Sequence, residues 1–220
     1  MVTLLALMLP ILQVLYVRFF DPPITPLMMI RWIEGQFSKE YSGGIAYRWI
    51  DIEKVPKYFL QCVWVTEDAR FFQHDGIDWK EIEVARARAR KTGGPIRGAS
   101  TITMQCARSL FLWQGRSYVR KGLEAGYTVL MERLLSKRRI LELYVNVIEM
   151  GDGVYGIQAA ANHYYGRDAG KLTKSQCAML AVMLPAPRKW NPNDPSRRLR
   201  GRHRRALRDS WKSRFPENLK

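Results

Sequence analysis

The chain has 220 residues, 47% of them hydrophobic, and 36 Lys and Arg against 20 Asp and Glu give it a formal charge of +16. That length suits one domain plus an anchor better than two full domains, and the apolar fraction allows a sizeable core. Cys62, Cys106 and Cys177 are too few and too widely spaced for a disulfide framework or a Cys/His metal site, so they read as small buried hydrophobes.

Residues 1–17 carry no charged side chain, and Gln13 is their one clearly polar residue. A helix of that length falls slightly short of a hydrocarbon core of roughly 30 Å. Phe19 and Phe20 extend it if Arg18 snorkels to the interface. No small-x-small cleavage site follows, so the segment reads as an uncleaved transmembrane anchor over residues 1–20, with a buried core helix as the alternative. Its orientation stays open, because the basic residues all follow the span while long translocated domains escape the charge rule. Pro22, Pro23 and Pro26 stop the helix, and Ile24 to Ile33 reads as membrane-surface or core sequence within a membrane-proximal linker, 21–54.

Helical signals dominate from Val55 onward. Ser42-Gly43-Gly44 and Lys91-Thr92-Gly93-Gly94-Pro95 read as breaks, and Gly98-Ala99-Ser100-Thr101 as the cap of a helix. Leu123, Tyr127, Leu130, Met131 and Leu134 recur at helical spacing, as do Leu141, Tyr144, Val145 and Ile148. Gly151-Asp152-Gly153 ends that helix, and two more follow over 158–165 and 174–184. The basic tail, 196–220, reads either as a solvated helix or as a contact for anionic lipid headgroups. No strand alternation is sustained, so the fold class is mainly α.

Three constellations carry chemistry. The run from Thr66 to Asp78 crowds Glu67, Asp68, Asp75 and Asp78 together with His74, Phe71 and Phe72. A Glu beside apolar rings is desolvated and gains basicity useful for proton abstraction. Neighbouring helical residues diverge by roughly 100°, so only one of Glu67 and Asp68 can face a given substrate atom. In the second, Arg97 to Arg108, small residues let backbone N–H groups approach a phosphate, and Gln105 and Arg108 share a helical face. In the third, Arg120, Lys121 and Glu124 converge on one face, as a surface salt bridge or as a diphosphate clamp.

The order Glu67-Asp68-x-x-Phe71-x-x-His74-x-Gly76-x-Asp78, Gly98-x-Ser100-Thr101-Ile102-Thr103-x-Gln105 and Arg120-Lys121-x-x-Glu124 closely resembles the peptidoglycan glycosyltransferase family. Lys137 to Asn146 and Gly156 to Ala161 match its later motifs, so the resemblance spans residues 58–193. The short chain and apolar N-terminus look like its monofunctional subgroup. The resemblance implies a lysozyme-like glycosyltransferase domain, 55–195, with a small membrane-associated lobe. It further implies polymerisation of lipid II, in which Glu67 is the base that activates the acceptor 4-hydroxyl. The anomeric carbon inverts and a lipid diphosphate leaves. Glu124 then falls at the second catalytic carboxylate, holding the diphosphate with Mg²⁺ or Mn²⁺. Ser100, Thr101, Gln105, Arg108, Arg120 and Lys121 fall at substrate-binding positions, while Asp68, Phe71, His74 and Gly76 support the site. Implied partners are lipid II, the lipid-linked glycan, the membrane and cell-wall synthesis or division proteins, with no nucleic acid. The implied location is the periplasmic side of the bacterial inner membrane.

The chain departs from the family pattern in three places, covering four residues. Ala99 replaces a Gly, Met104 replaces the first of two Gln, and Arg108-Ser109 replaces Lys-Asn. Arg108 keeps the charge but not the compact ammonium. Of the rival readings, Lys91-Thr92-Gly93 matches a transpeptidase box, but no Ser-x-x-Lys accompanies it. A cell-wall hydrolase needs no cationic clamp. A binder of nucleic acid or anionic lipid explains the charge but not the ordered motifs.

Overall fold

A computed structural model describes residues 2–38, 44–96, 98–115, 117–213 and 215–216, with the side chains of residues 2–7 and 212 outside that description. Ser42, Gly43, Arg97 and Arg214, which figure in the expected loop, second constellation and basic tail, lie outside the described residues.

The described chain is mainly helical. Its helices are α1 (Val2–Phe19), α2 (Pro26–Phe37), α3 (Lys57–Glu67), α4 (Trp79–Thr92), α5 (Ile102–Phe111), α6 (Tyr118–Leu134), α7 (Lys137–Val147), α8 (Gly156–Tyr165), α9 (Lys174–Met183) and α10 (Arg197–Lys212). Hydroxyl caps start many of them: Thr101, Ser117, Ser136, Thr173 and Ser196 each accept a backbone N–H from the first turn. Thr173 and Gln176 complete a reciprocal capping box.

One feature is absent from the sequence reading. Strands β1 (Ala46–Tyr47), β2 (Glu149–Gly151) and β3 (Val154–Tyr155) form a small sheet in the order β1-β3-β2. β1 runs parallel to β3, and β2 pairs with it antiparallel. Strands of two or three residues are too short to show alternation, and Gly151-Asp152-Gly153 turns the β2–β3 hairpin rather than ending a helix. Buried Glu149 in β2 lies between Arg31 of α2 at 3.6 Å and Arg188 at 3.7 Å, so α2 is tied electrostatically to the sheet.

The core joins α3, α5, α7, α8 and α9 around Phe59, Ile102, Tyr144, Ile157 and Leu180. Asn146 on α7 locks the segment before α3 onto it. Its side-chain amide accepts from the Ile50 N–H at 2.9 Å and donates to the Ile50 carbonyl at 2.9 Å. Glu142, one turn earlier, accepts from the Ile52 N–H at 3.1 Å.

The N-terminal helix forms, but among the described residues no helix is long and apolar enough to cross a membrane. The expected transmembrane span is therefore not found there. Pro10 and Gln13 interrupt the apolar run, and the second half of α1 packs onto the body. Val14 and Val17 are buried in the core, and the Tyr127 O–H of α6 donates to Gln13 Oε1. Arg139 of α7 caps the end of α1, donating to the carbonyls of Val17 at 2.9 Å and Phe20 at 3.0 Å. The tail behaves likewise: α10 buries Leu199, Ala206 and Ser210 against α3 and α9, while its arginines other than Arg202 are exposed.

Replacing Asn146 by Ala leaves the buried Ile50 N–H and carbonyl without partners. Chemical denaturation of Asn146→Ala should show a loss of about 2–4 kcal/mol, and a loss within error would mean the segment is held by packing alone.

Candidate active site

Helix α3 delivers Glu67 as its last residue, and Asp68 is the C-cap that turns the chain away. The two carboxylates therefore point into different surroundings. Asp68 is buried and fully engaged. His74 Nε2 lies 3.1 and 3.2 Å from its two oxygens, and the Ile102 N–H at the start of α5 donates to Oδ2 at 3.0 Å. The Gly76 N–H donates to His74 Nδ1 at 3.1 Å, which leaves Nε2 as the protonated nitrogen facing Asp68. Thr101 donates its O–H to the Gly76 carbonyl at 2.6 Å. Gly76 is required here: its φ is +87°, and a Cβ would sit 2.5 Å from Thr128 Cγ2.

Phe71 is wholly buried beneath the same turn, with the Lys137 ammonium 4.4 Å from its ring centre. Lys137 also donates to the His74 carbonyl at 2.7 Å and pairs with Glu132 at 2.9 Å. Asp68, His74 and Asp78 are close enough together to suggest a metal group. However, Asp78 is engaged as the N-cap of α4 and as the partner of Arg70 at 2.8 Å. With every member committed to protein partners, the cluster holds the loop together.

Glu67 has a different environment. Gln105 Nε2 donates to its Oε2 at 3.3 Å, while Oε1 is sheltered from solvent without a partner. Burial pushes its carboxyl up from the ordinary 4.5 to about 7, opposed by the Gln105 hydrogen bond and the positive charge of Arg202. The carboxylate borders a cleft of about 230 Å³ that Ser100, Thr101 and Arg70 also line.

One turn along α5 from Gln105, Arg108 reaches the second carboxylate. Glu124 is wholly buried. Arg120 pairs with its Oε2, Lys121 with Oε1 at 2.6 Å, and Arg108 stands 3.9 Å from Oε2. The Arg120 Nε also donates to the Gly115 carbonyl at 2.8 Å, which fixes the guanidinium. Three cations around one carboxylate leave net positive charge, and Lys121 and Arg108 are partly open to solvent. Both Glu124 oxygens are thus taken by cations, and among the described residues no other carboxylate joins Glu124 in a metal-binding group. This arrangement does not fit a divalent cation on Glu124.

Two residues of the site escaped the sequence reading. Arg202 belongs to the basic tail, yet docking of α10 brings it near Glu67, with its guanidinium 5.4 Å from the Trp190 ring centre. Leu199 and Ala206, seven residues apart among arginines, were the available signal for a docked face. Tyr144 read only as a core residue, but its hydroxyl donates to Gln105 Oε1.

The site thus sets a sheltered carboxylate at one end against a cluster of cations around a second carboxylate at the other, on a helical scaffold. A family model described as Transglycosylase matches residues 34–210. The chain is 48% identical to the biosynthetic peptidoglycan transglycosylase of Xanthomonas oryzae pv. oryzae over 185 residues, 84% of this chain and 75% of that protein. It is 43% identical to the protein of that name from Xylella fastidiosa (99% and 87% covered), and 45% identical to that from Caulobacter vibrioides (86% and 79%). The chain belongs to the transglycosylase family.

The raised Glu67 carboxyl has a consequence for stability. Between the ordinary 4.5 and about 7 the folded protein holds a proton that the unfolded chain has lost, so stability falls as pH rises through that window. Glu67→Gln removes the penalty. Denaturation at pH above the window should find it more stable than wild type by roughly 1–3 kcal/mol, with the difference vanishing below the window. Equal stability across the whole range would contradict the buried carboxylate.

Proposed function

We propose that this protein is a peptidoglycan glycosyltransferase that polymerises lipid II into β-1,4-linked glycan strands at the periplasmic face of the bacterial inner membrane. The observation that carries the reading is the placement of a sheltered carboxylate and a three-cation clamp one turn apart along α5. The names of the relatives support the same chemistry.

In this reading Glu67 Oε1 takes the proton from the acceptor 4-hydroxyl as its oxygen attacks the donor anomeric carbon. The bond from that carbon to the diphosphate oxygen breaks, and the carbon inverts. The leaving diphosphate needs no proton if its charge is met by Arg108, Arg120 and Lys121. Glu124 holds Arg120 and Lys121 in place for that task. Glu67 then returns its proton to solvent. Ser100 and Thr101 border the same cleft and are assigned to substrate binding. No step is assigned to Mg²⁺ or Mn²⁺, since the cations already occupy Glu124.

Membrane contact is assigned to the apolar side chains that α1 and α2 leave exposed: Leu12, Tyr16, Phe19 and Phe20, then Met29, Trp32 and Phe37. An exposed apolar surface of this kind marks a membrane or protein contact. An open apolar groove lies between α1 and the end of α5, where Phe111 stacks on Tyr127, one turn beyond Glu124. A lipid-linked substrate thus meets apolar surface beside the cationic clamp.

Detergent-solubilised protein should polymerise labelled lipid II. Glu67→Gln should lose activity by about 10²–10⁴-fold, the usual worth of a general base. Folded wild-type protein that makes no polymer would sink the assignment. Lys121→Ala, which removes the most exposed cation of the clamp, should raise KM for lipid II by roughly tenfold, one charge-assisted contact. An unchanged KM and kcat would remove Lys121 from the site.

A further inference from the structure

A chain of two hydrogen bonds reaches Glu67 from α7. The Tyr144 O–H donates to Gln105 Oε1 at 3.0 Å, and Gln105 Nε2 donates to Glu67 Oε2 at 3.3 Å. Tyr144 is wholly buried and Gln105 nearly so. We propose that Tyr144 is a positioning residue for the base, fixing the Gln105 amide so that its N–H side faces Glu67. The proposal rests on Glu67 being that base.

The argument is one of donor and acceptor matching. A side-chain amide offers a carbonyl on one side and N–H groups on the other. A buried phenol O–H left without an acceptor is costly, and Gln105 Oε1 is the acceptor Tyr144 has. That choice commits Nε2 to Glu67, and a donor there favours the ionised carboxylate. Turning the amide over would present its oxygen to Glu67, which suits only the protonated acid, and would orphan the Tyr144 O–H. Tyr144 thereby biases Glu67 toward the form that accepts a proton, against the larger effect of burial. It also divides the carboxylate: Oε2 is held by Gln105, and Oε1, which has no partner, is left for the acceptor hydroxyl.

Other charged groups act on the same carboxylate. Arg202 of α10 favours ionisation, and neighbouring Asp68 opposes it. Arg70, Asp78 and Glu81 line the cleft, and Arg108 faces Tyr144 from α5. Tyr144→Phe changes none of them, because it removes a single oxygen from a site whose ring remains packed.

The experiment measures kcat and KM for lipid II polymerisation by the full chain across acid to alkaline pH. Loss of activity on the acid side tracks protonation of Glu67. With Tyr144→Phe that acid limb should move up by about one pH unit, with kcat near wild type at alkaline pH and KM little changed. A fall in kcat equal at every pH would show a merely structural role and overturn the proposal. Gln105→Leu should shift the limb by itself, and adding Tyr144→Phe should shift it no further. An additive shift would show that Tyr144 does not act through Gln105. If Tyr144→Phe fails to fold, 3-fluorotyrosine at position 144 serves instead. As a stronger donor of the same shape it should move the limb to lower pH, and an unmoved limb would count against the proposal. Active wild type, inactive Glu67→Gln and an unshifted Tyr144→Phe would reject this inference alone. Inactive wild type would reject the function itself.

Discussion

The Asp68 carboxylate is the constraint on which the site depends. It joins three pieces of chain that are distant in sequence or direction: the end of α3, the His74 loop and the first N–H of α5. A carboxylate at a helix N-terminus satisfies a donor that has no partner within the helix and is favoured by the helix dipole. Because Asp68 follows Glu67 directly, anchoring α5 to Asp68 also fixes α5 against Glu67. The gap that Gly76 leaves for Thr128 lets α6 close over the same loop. Removing Asp68 would release the relation between Glu67 and every residue that α5 carries.

Helix α5 then acts as the spine of the site. Gln105 faces Glu67 and Arg108 faces Glu124, three residues apart. The two carboxylates at those ends are held in opposite ways. Glu67 meets one amide and a single nearby guanidinium, so burial dominates and the proton is held more tightly. Glu124 is more deeply buried yet surrounded by cations, so its charge is matched and serves to gather them. Two groups of the same chemistry thus sit in contrasting electrostatic surroundings.

The margins of the fold reinforce this arrangement. Arg139 holds the end of α1, Lys137 holds the His74 turn, and neighbouring Arg138 pairs with Glu53 ahead of α3. The basic run Lys137-Arg138-Arg139 therefore ties three separate segments to α7 rather than presenting a solvated patch. At the other end of the chain, α10 closes against α3 and α9 and supplies Arg202.

The sequence by itself determined what is local. Helix spacing, Thr101 as a cap, the Gly-rich break before it and the shared face of Arg120, Lys121 and Glu124 all depend on residues within a few positions of one another. The ordered motifs pointed to the family, which the family match bears out, and to Glu67 and Glu124 as its expected catalytic carboxylates. Tertiary structure decided what those residues meet. Periodicity places Tyr144 on an apolar face but does not show which helix that face meets, and the basic tail reads as solvated or lipid-facing, so the Tyr144–Gln105–Glu67 chain and the approach of Arg202 were invisible. The β1–β3 pairing is likewise set by contacts across more than a hundred residues. The apolar run at the N-terminus reads as a span by hydropathy, which does not count what a residue packs on, and no helix among the described residues is long and apolar enough to cross a membrane. Docking of Val14 and Val17 onto the body gives half of that helix a different solvent. The state of Glu67 follows the same rule, since a carboxylate's basicity depends on water and charge that only the folded neighbours exclude or provide.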